Sequence, residues 1–299
     1  MESPARTKNC FQAGDSALIV DRKARQYLIN LVCGETFHSH LGRLFHDQMI
    51  DHTVGGWYRT DKGHTVLAVR PTLGDFVRKM PRGPQIIYPK DLGNITNFAD
   101  IFPGATLIEG GLGSGSLTSA MLRAVGSEGR VITYEIDETL VPRAIKNIEK
   151  FHPSHSNHTV FIGDIYEGIH EQEVDRVVLD VPEPWRAVET IGDALVMGGI
   201  VLSFVPTIIQ VQSFVLALER DTRFQMIESI ETMLRSWHVT QRSVRPDHRM
   251  IAHSGFLTTA VRCEPRFRAA LPDQTDEDGG EDQGGQIGSE PDGDEGESS

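Results

Sequence analysis

The chain predicts an α/β fold: a mostly parallel sheet with helices on both faces, closed by a C-terminal antiparallel hairpin and preceded by a small β-rich module. Three observations predict it. From Thr72 to about Glu264, apolar runs of strand length alternate with helical patterns. One such run, Ala105–Ile108, passes through the glycine-rich turn Glu109-Gly110-Gly111-Leu112-Gly113-Ser114-Gly115 into a helical pattern over Leu117–Val125. Ahead of Pro71 the runs are short and alternating, with Gly55-Gly56 and Asp61-Lys62-Gly63 between them, a strand-and-turn pattern.

In chain order, Ala17–Val20, Trp57-Tyr58 and Thr65–Val69 read as strands of a module spanning residues 1–71. Ala105–Ile108 is the first strand of the larger domain, 72–264. Gly129-Arg130 turns the chain into a second, Val131–Glu135. The next helix carries Leu140, Ala144, Ile145 and Ile148 on one face. Val160–Ile162, Val177–Leu179 and Ile200–Phe204 follow as strands, and Met226–Leu234 with Gly255–Arg262 as the terminal hairpin. Residues 265–299 form an acidic tail that, beyond Pro272, is Asp, Glu, Gly, Gln and Ser with almost nothing apolar, a composition that cannot offset its ordering entropy.

At 299 residues and 39% hydrophobic, the chain can bury a large core beside a smaller one. The formal charge of −13 belongs to the tail. Without the eleven acids from Leu271 onward, 31 acidic residues face 29 Lys and Arg, so a nucleic-acid partner is not excluded. Cys10, Cys33 and Cys263 form no C-x-x-C, which excludes a disulfide framework or zinc knuckle and suits a reducing cytosol. Met1–Cys10 has no apolar core of a secretory signal. The apolar stretch Ala194–Leu218 is broken by Gly198, Gly199 and Pro206, so it reads as core and no membrane span is expected.

The turn at 109–115 has the spacing E-x-G-x-G-x-G, and Ser116 stands where a dinucleotide fingerprint needs its third glycine. Such a turn brings bare N–H groups and a helix N-terminus to a ligand, unless it is a tight turn with no ligand. An acid beside it, Glu109, suits a cationic ligand such as S-adenosyl-L-methionine. Glu135 ends the second strand, where a carboxylate accepts from ribose hydroxyls, as it also does in NAD enzymes. Asp164 follows the third strand and suits the exocyclic amine of an adenine. The alternative for each acid is a helix N-cap, and Glu135 and Asp164 singly are equally readable that way. Three in register after successive strands favour a nucleoside.

The fourth strand runs into Asp180-Val181-Pro182-Glu183-Pro184-Trp185. Two prolines stiffen this loop and remove two donors, presenting Asp180 rigidly. A carboxylate with a flat aromatic nearby suits a planar, amino-bearing base, and the alternative is a proline-rich strand exit whose Trp packs into the core.

These residues resemble the prokaryotic single-subunit tRNA (adenine-58-N1)-methyltransferases. The resemblance rests on the glycine turn, Tyr134-Glu135, Gly163-Asp164 and the D-x-x-x-P-W of 180–185, and it spans roughly Gly14 to Arg262. Met80-Pro81-Arg82-Gly83 leading to Ile86-Ile87-Tyr88-Pro89-Lys90-Asp91 is similar to that family's linker. Arg245-Pro246-Asp247-His248-Arg249-Met250, with His253, is similar to its C-terminal hairpin. Two departures stand out: Leu41 where a basic residue is expected, and Ala252-His253-Ser254 in place of Gly-His-Thr.

The resemblance implies a class I Rossmann-like methyltransferase that uses S-adenosyl-L-methionine, methylates N1 of adenine 58 in tRNA, needs no metal, and works as a cytoplasmic homotetramer. It implies that Gly111, Gly113, Ser114, Gly115, Ser116 and Leu117 hold the methionine part of the cofactor, Glu135 its ribose and Asp164 its adenine. Asp180 is the implied catalytic carboxylate, with Tyr88 and Trp185 as walls for the flipped base. Tyr88 is as readily plain packing. Arg82, Lys90, Arg245, His248 and Arg249 are candidate tRNA contacts, or else parts of a solvated basic face. The competing readings are a non-catalytic tRNA-binding subunit of this fold and a class I methyltransferase with a non-RNA substrate. The first should lack the strand-four acid or the glycines, and this chain has both.

Overall fold

A computed structural model of the chain describes residues 9–81, 83, 85–153 and 155–265. The predicted acidic segment lies outside them apart from Pro265. The N-terminal part contains β1 (Ser16–Val20), β2 (Gln26–Asn30), β3 (Thr36–Ser39), β4 (Gly42–Phe45), β5 (Gly56–Arg59) and β6 (Thr65–Val69). Four of these form an antiparallel sheet in the order β2-β1-β6-β5, and β3 pairs with β4. Period-two alternation turns Ala17, Ile19, Val66 and Ala68 inward, onto Phe11, Leu31, Leu44 and Met49.

Two helices follow, α1 (Leu73–Lys79) and α2 (Pro89–Phe98). Thr72 caps the first in a reciprocal box with Asp75, and Pro89 opens the second, where its missing N–H has no cost. The larger sheet comes next: β7 (Thr106–Gly110), α3 (Ser116–Val125), β8 (Arg130–Glu135), α4 (Val141–Phe151), β9 (His158–Ile162), β10 (Val174–Leu179), α5 (Val188–Ala194), β11 (Leu195–Val205), α6 (Ile208–Arg220) and β12 (Phe224–Glu231). A small hairpin, β13 (Trp237–Thr240) with β14 (Ser243–Pro246), precedes β15 (Phe256–Arg262).

The strand order is β12-β15-β11-β10-β7-β8-β9. Strands β7 to β11 are parallel, and β15 runs antiparallel to both β11 and β12. The sheet is thus mostly parallel with an antiparallel C-terminal end. Alternation sorts its two faces. Leu107, Val131, Val178 and Leu202 pack with Phe76, Leu92, Met121 and Ile148 of α1–α4. Ile108, Ile132, Val177 and Val201 pack with Ile191, Phe214 and Leu218 of α5 and α6. Each such side chain contributes about 1.5–3 kcal/mol by burial. The chain proceeds outward from β7 through β8 to β9, then returns past β7 to β10 and β11. Strand order therefore reverses at the β7/β10 boundary, and a crevice opens at the carboxyl ends there. Among the described residues no helix is long and apolar enough to cross a membrane.

Candidate active site

The glycine turn is shaped by what it touches. Gly111 has φ +91°, and a Cβ there would lie 2.5 Å from the carbonyl oxygen of Asp180, so only glycine fits between β7 and the loop after β10. Gly115 caps α3 at φ +80°, and its Cβ would meet Ile148 Cγ1 at 2.9 Å, so this glycine lets α3 close onto α4. Glu135 reaches across from the end of β8. Its Oε2 accepts from the N–H groups of Leu112 (3.0 Å) and Gly113 (3.2 Å), and its Oε1 from Asp137 N–H (2.9 Å). Asp164, after β9, accepts from Tyr166 N–H at 2.9 Å.

The loop that carries Asp180 is pinned at three points. Asp180 N–H donates to the Gly110 carbonyl (2.8 Å), Gln210 Nε2 to the Pro182 carbonyl (2.9 Å), and Glu183 N–H to the Tyr166 hydroxyl (2.9 Å). Among the described residues no donor reaches the Asp180 carboxylate, which faces the cavity space while protein walls surround it. Asp180 is exposed to the cavity itself, but the protein around that cavity strips its carboxyl of bulk water, and this first, then the charge of Glu135, pushes it up to about 7.

Asp180, Asp164, Glu135 and the turn residues Gly111, Gly113, Ser114, Ser116 and Leu117 line one cavity of about 560 Å³. That volume lies in the range of small-molecule and cofactor sites, roughly 300–1,000 Å³. A glycine cradle, a helix N-terminus and three carboxylates fit a cationic nucleoside. Among the described residues no group of three or more His, Cys, Asp or Glu is placed to hold a metal ion.

The family described as the tRNA methyltransferase complex GCD14 subunit matches residues 64–273, and a TrmI-like N-terminal family matches 10–56. The chain belongs to the GCD14 methyltransferase family. A relative from Methanocaldococcus jannaschii, the tRNA (adenine(57)-N(1)/adenine(58)-N(1))-methyltransferase TrmI, is 35% identical over 84% of this chain and 96% of its own. Among solved structures, the SAM-dependent O-methyltransferase from Thermotoga maritima is 32% identical, with a TM-score of 0.82 over 86% of this chain and 96% of that one. The tRNA (m1A58) methyltransferase TrmI from Aquifex aeolicus is 26% identical, with a TM-score of 0.74 over 86% of this chain and all of that one. The fold is that of a class I S-adenosylmethionine-dependent methyltransferase.

Against this family background, several expected site residues lie elsewhere. Glu109 is a correction. It alternates with Ile108 to the α3 face and is fully buried, accepting from Thr118 Oγ1 (2.8 Å) and Thr133 Oγ1 (2.6 Å) rather than facing the cavity. Burial outweighs those hydroxyls and lifts its carboxyl to about 8. Thr133 also lies 2.9 Å from Nε2 of His158, which burial and then His155 lower to about 4, so the chain of partners is neutral. Lys90 is a second correction. Its side chain is 4% exposed, with Nζ bonded to Asp91 Oδ1 (2.7 Å) and the Thr232 carbonyl (2.7 Å). An ammonium so engaged cannot reach a surface phosphate, and breaking such a buried pair costs about 3–5 kcal/mol.

Tyr88 is the half-buried N-cap residue of α2 and lies outside the cavity wall. Trp185 packs against the α5–α6 core and borders a separate groove. Gly115 shapes the turn from behind. Arg245 donates to the Pro246 carbonyl (3.2 Å), and His248 and Arg249 are exposed just beyond β14, away from the cavity lining. Arg82 lies outside the described residues. Ser254 explains one departure: its hydroxyl donates to Asp91 Oδ2 (2.6 Å), a role either Ser or Thr fills.

Sequence reasoning passed over Tyr166 and Arg186, which line the cavity. Tyr166 stands two residues past Asp164, and Arg186 one past Trp185, so only their proximity to chosen residues marked them.

Proposed function

We propose that this chain transfers a methyl group from S-adenosyl-L-methionine to N1 of adenine 58 in the T loop of tRNA. The observation that carries this reading is Asp180: a carboxylate without a donor among the described residues, on a loop tied to the glycine turn, in one cavity with Glu135 and Asp164. When bound, the cofactor supplies a methyl group activated by a sulfonium. The N–H groups of residues 111–117 hold its methionine part. Glu135 takes the ribose hydroxyls and Asp164 the adenine amine.

Adenine N1 offers a neutral in-plane lone pair, so alignment matters more than proton removal before attack. Asp180 accepts from the N6 amine of the extruded base, sets N1 in line, and stabilises the positive charge that grows on the purine. It can accept the N6 proton afterwards. Arg245, His248 and Arg249 meet tRNA phosphates from the β13–β14 side.

Residues 1–71, 72–264 and 265–299 are read as module, catalytic domain and acidic appendage. The assembly is a homotetramer, for which the exposed Trp237, Val239 and Val244 of the hairpin supply an apolar contact surface. The setting is the cytoplasm. The test is to incubate the protein with an unmodified tRNA transcript and labelled cofactor, then map the product. Label at N1 of adenine 58, with or without 57, is expected. Label on an oxygen would point to the reaction named for the Thermotoga structure, and no transfer to RNA would overturn the proposal.

A further inference from the structure

Arg186 is the single Lys or Arg among the described residues that line the cavity, whereas Glu135, Asp164, Asp180 and Glu183 all share its walls. An RNA strand that brings a nucleoside to such a mouth meets like charge unless a cation stands there. The Arg186 guanidinium lies over the Tyr166 ring, its Cζ 4.4 Å from the centroid, and Nη1 donates to Glu183 Oε2 at 3.0 Å. The tyrosine beneath it is held at its backbone and at its hydroxyl. Tyr166 N–H donates to Asp164, and the Tyr166 hydroxyl accepts from Glu183 N–H. The cation therefore rests on a platform built by the loops after β9 and β10. About half of its side chain is exposed, at 51%, and so is that of Glu183, at 45%. An exposed pair of this kind is weak and exchanges partners readily. Guanidinium has five N–H donors in a planar fork, and among the described residues only Glu183 engages one.

Resting on the RNA-methylation reading, we propose that Arg186 forms a phosphodiester-binding site at the cavity mouth, gripping the backbone phosphate beside the entering adenosine. Glu183 holds the fork in place until the phosphate displaces it. Tyr166 keeps the fork planar to the mouth, which matches the bidentate geometry of a phosphate.

The test uses the full chain carrying Arg186→Ala, Arg186→Lys or Glu183→Gln. Four quantities are measured: KM and kcat for tRNA, cofactor Kd by calorimetry, and the salt dependence of tRNA binding. Arg186→Ala should raise KM for tRNA about tenfold or more through loss of a charged hydrogen bond. The same change should lower the salt slope by about 0.7–0.9 and leave the cofactor Kd within about twofold. Arg186→Lys keeps the slope and recovers part of the KM. Glu183→Gln frees the fork and lowers KM, whereas a merely structural role for the pair raises it. The last two variants carry the test should Arg186→Ala fail to fold. An unchanged slope in Arg186→Ala, cofactor affinity falling in step with KM, or a raised KM in Glu183→Gln overturns the proposal. Each of these leaves the reaction assignment standing as long as the unaltered chain still labels N1.

Discussion

Replacing Glu109 by Gln separates a buried proton from a cofactor contact. The Glu109 carboxyl rises from its ordinary 4.5 to about 8, with burial as the main cause. Over that interval the folded chain keeps a proton that the unfolded chain has released. Stability therefore falls as pH climbs from about 4.5 to about 8, and levels off above. At about 1.4 kcal/mol per unit, the ceiling between pH 5 and 7 is about 3 kcal/mol. A Gln amide can meet Thr118 and Thr133 as a protonated carboxyl does, and it does not titrate. Urea unfolding at pH 5, 6, 7 and 8 should show the Gln variant gaining about 1–3 kcal/mol on the parent chain by pH 7. Parallel curves would mean that Glu109 is ionised throughout and would refute the reasoning. Calorimetry at pH 7 adds a second reading. Cofactor affinity should change by no more than about twofold, since a tenfold loss, about 1.4 kcal/mol, would restore a direct contact with the cofactor cation.

Asp180→Ala should lower turnover about 10²–10³-fold while cofactor Kd stays within a few-fold, and equal turnover would remove Asp180 from the mechanism. Gly111→Ala must place a Cβ at φ +91° against the Asp180 carbonyl, so cofactor affinity should fall about tenfold or more by equilibrium dialysis. His253 points Nδ1 at Glu231 Oε1 (2.7 Å) and Nε2 at the Pro206 carbonyl (2.9 Å), and those partners raise its pKa above 6.5. Its contribution is full below 6.5 and is lost as pH rises through the higher folded value. The protection factors of amides at the end of β12, with exchange rates referred to the intrinsic rate at each pH, should fall over that rise and stay level in His253→Gln.

The larger sheet was legible because its strands are apolar, punctuated and separated by helices. The acids Glu135, Asp164 and Asp180 were legible because each stands where a parallel strand ends. Glu109 was misread although the signal existed: counting by two from Leu107 places it on the α3 face. The short strands β2, β3 and β4 are not legible in the sequence; in β2, Tyr27–Asn30 are all half-buried and show no alternation. The hairpin β13–β14 was merged into its neighbours. Lys90 could not be read as buried, because the Thr232 carbonyl that holds it is 142 residues away in sequence. Tyr166 and Arg186 belong to a wall that exists only once two loops meet.

The ring of acids around the cavity bears on how the enzyme is cleared for another round. Donation of the methyl turns a sulfonium into an uncharged thioether, so the spent molecule has one positive charge fewer than its precursor. Surroundings that draw in the fresh donor thus relax their hold on the by-product. Under the proposed reaction, such walls favour replacement of the by-product by fresh donor.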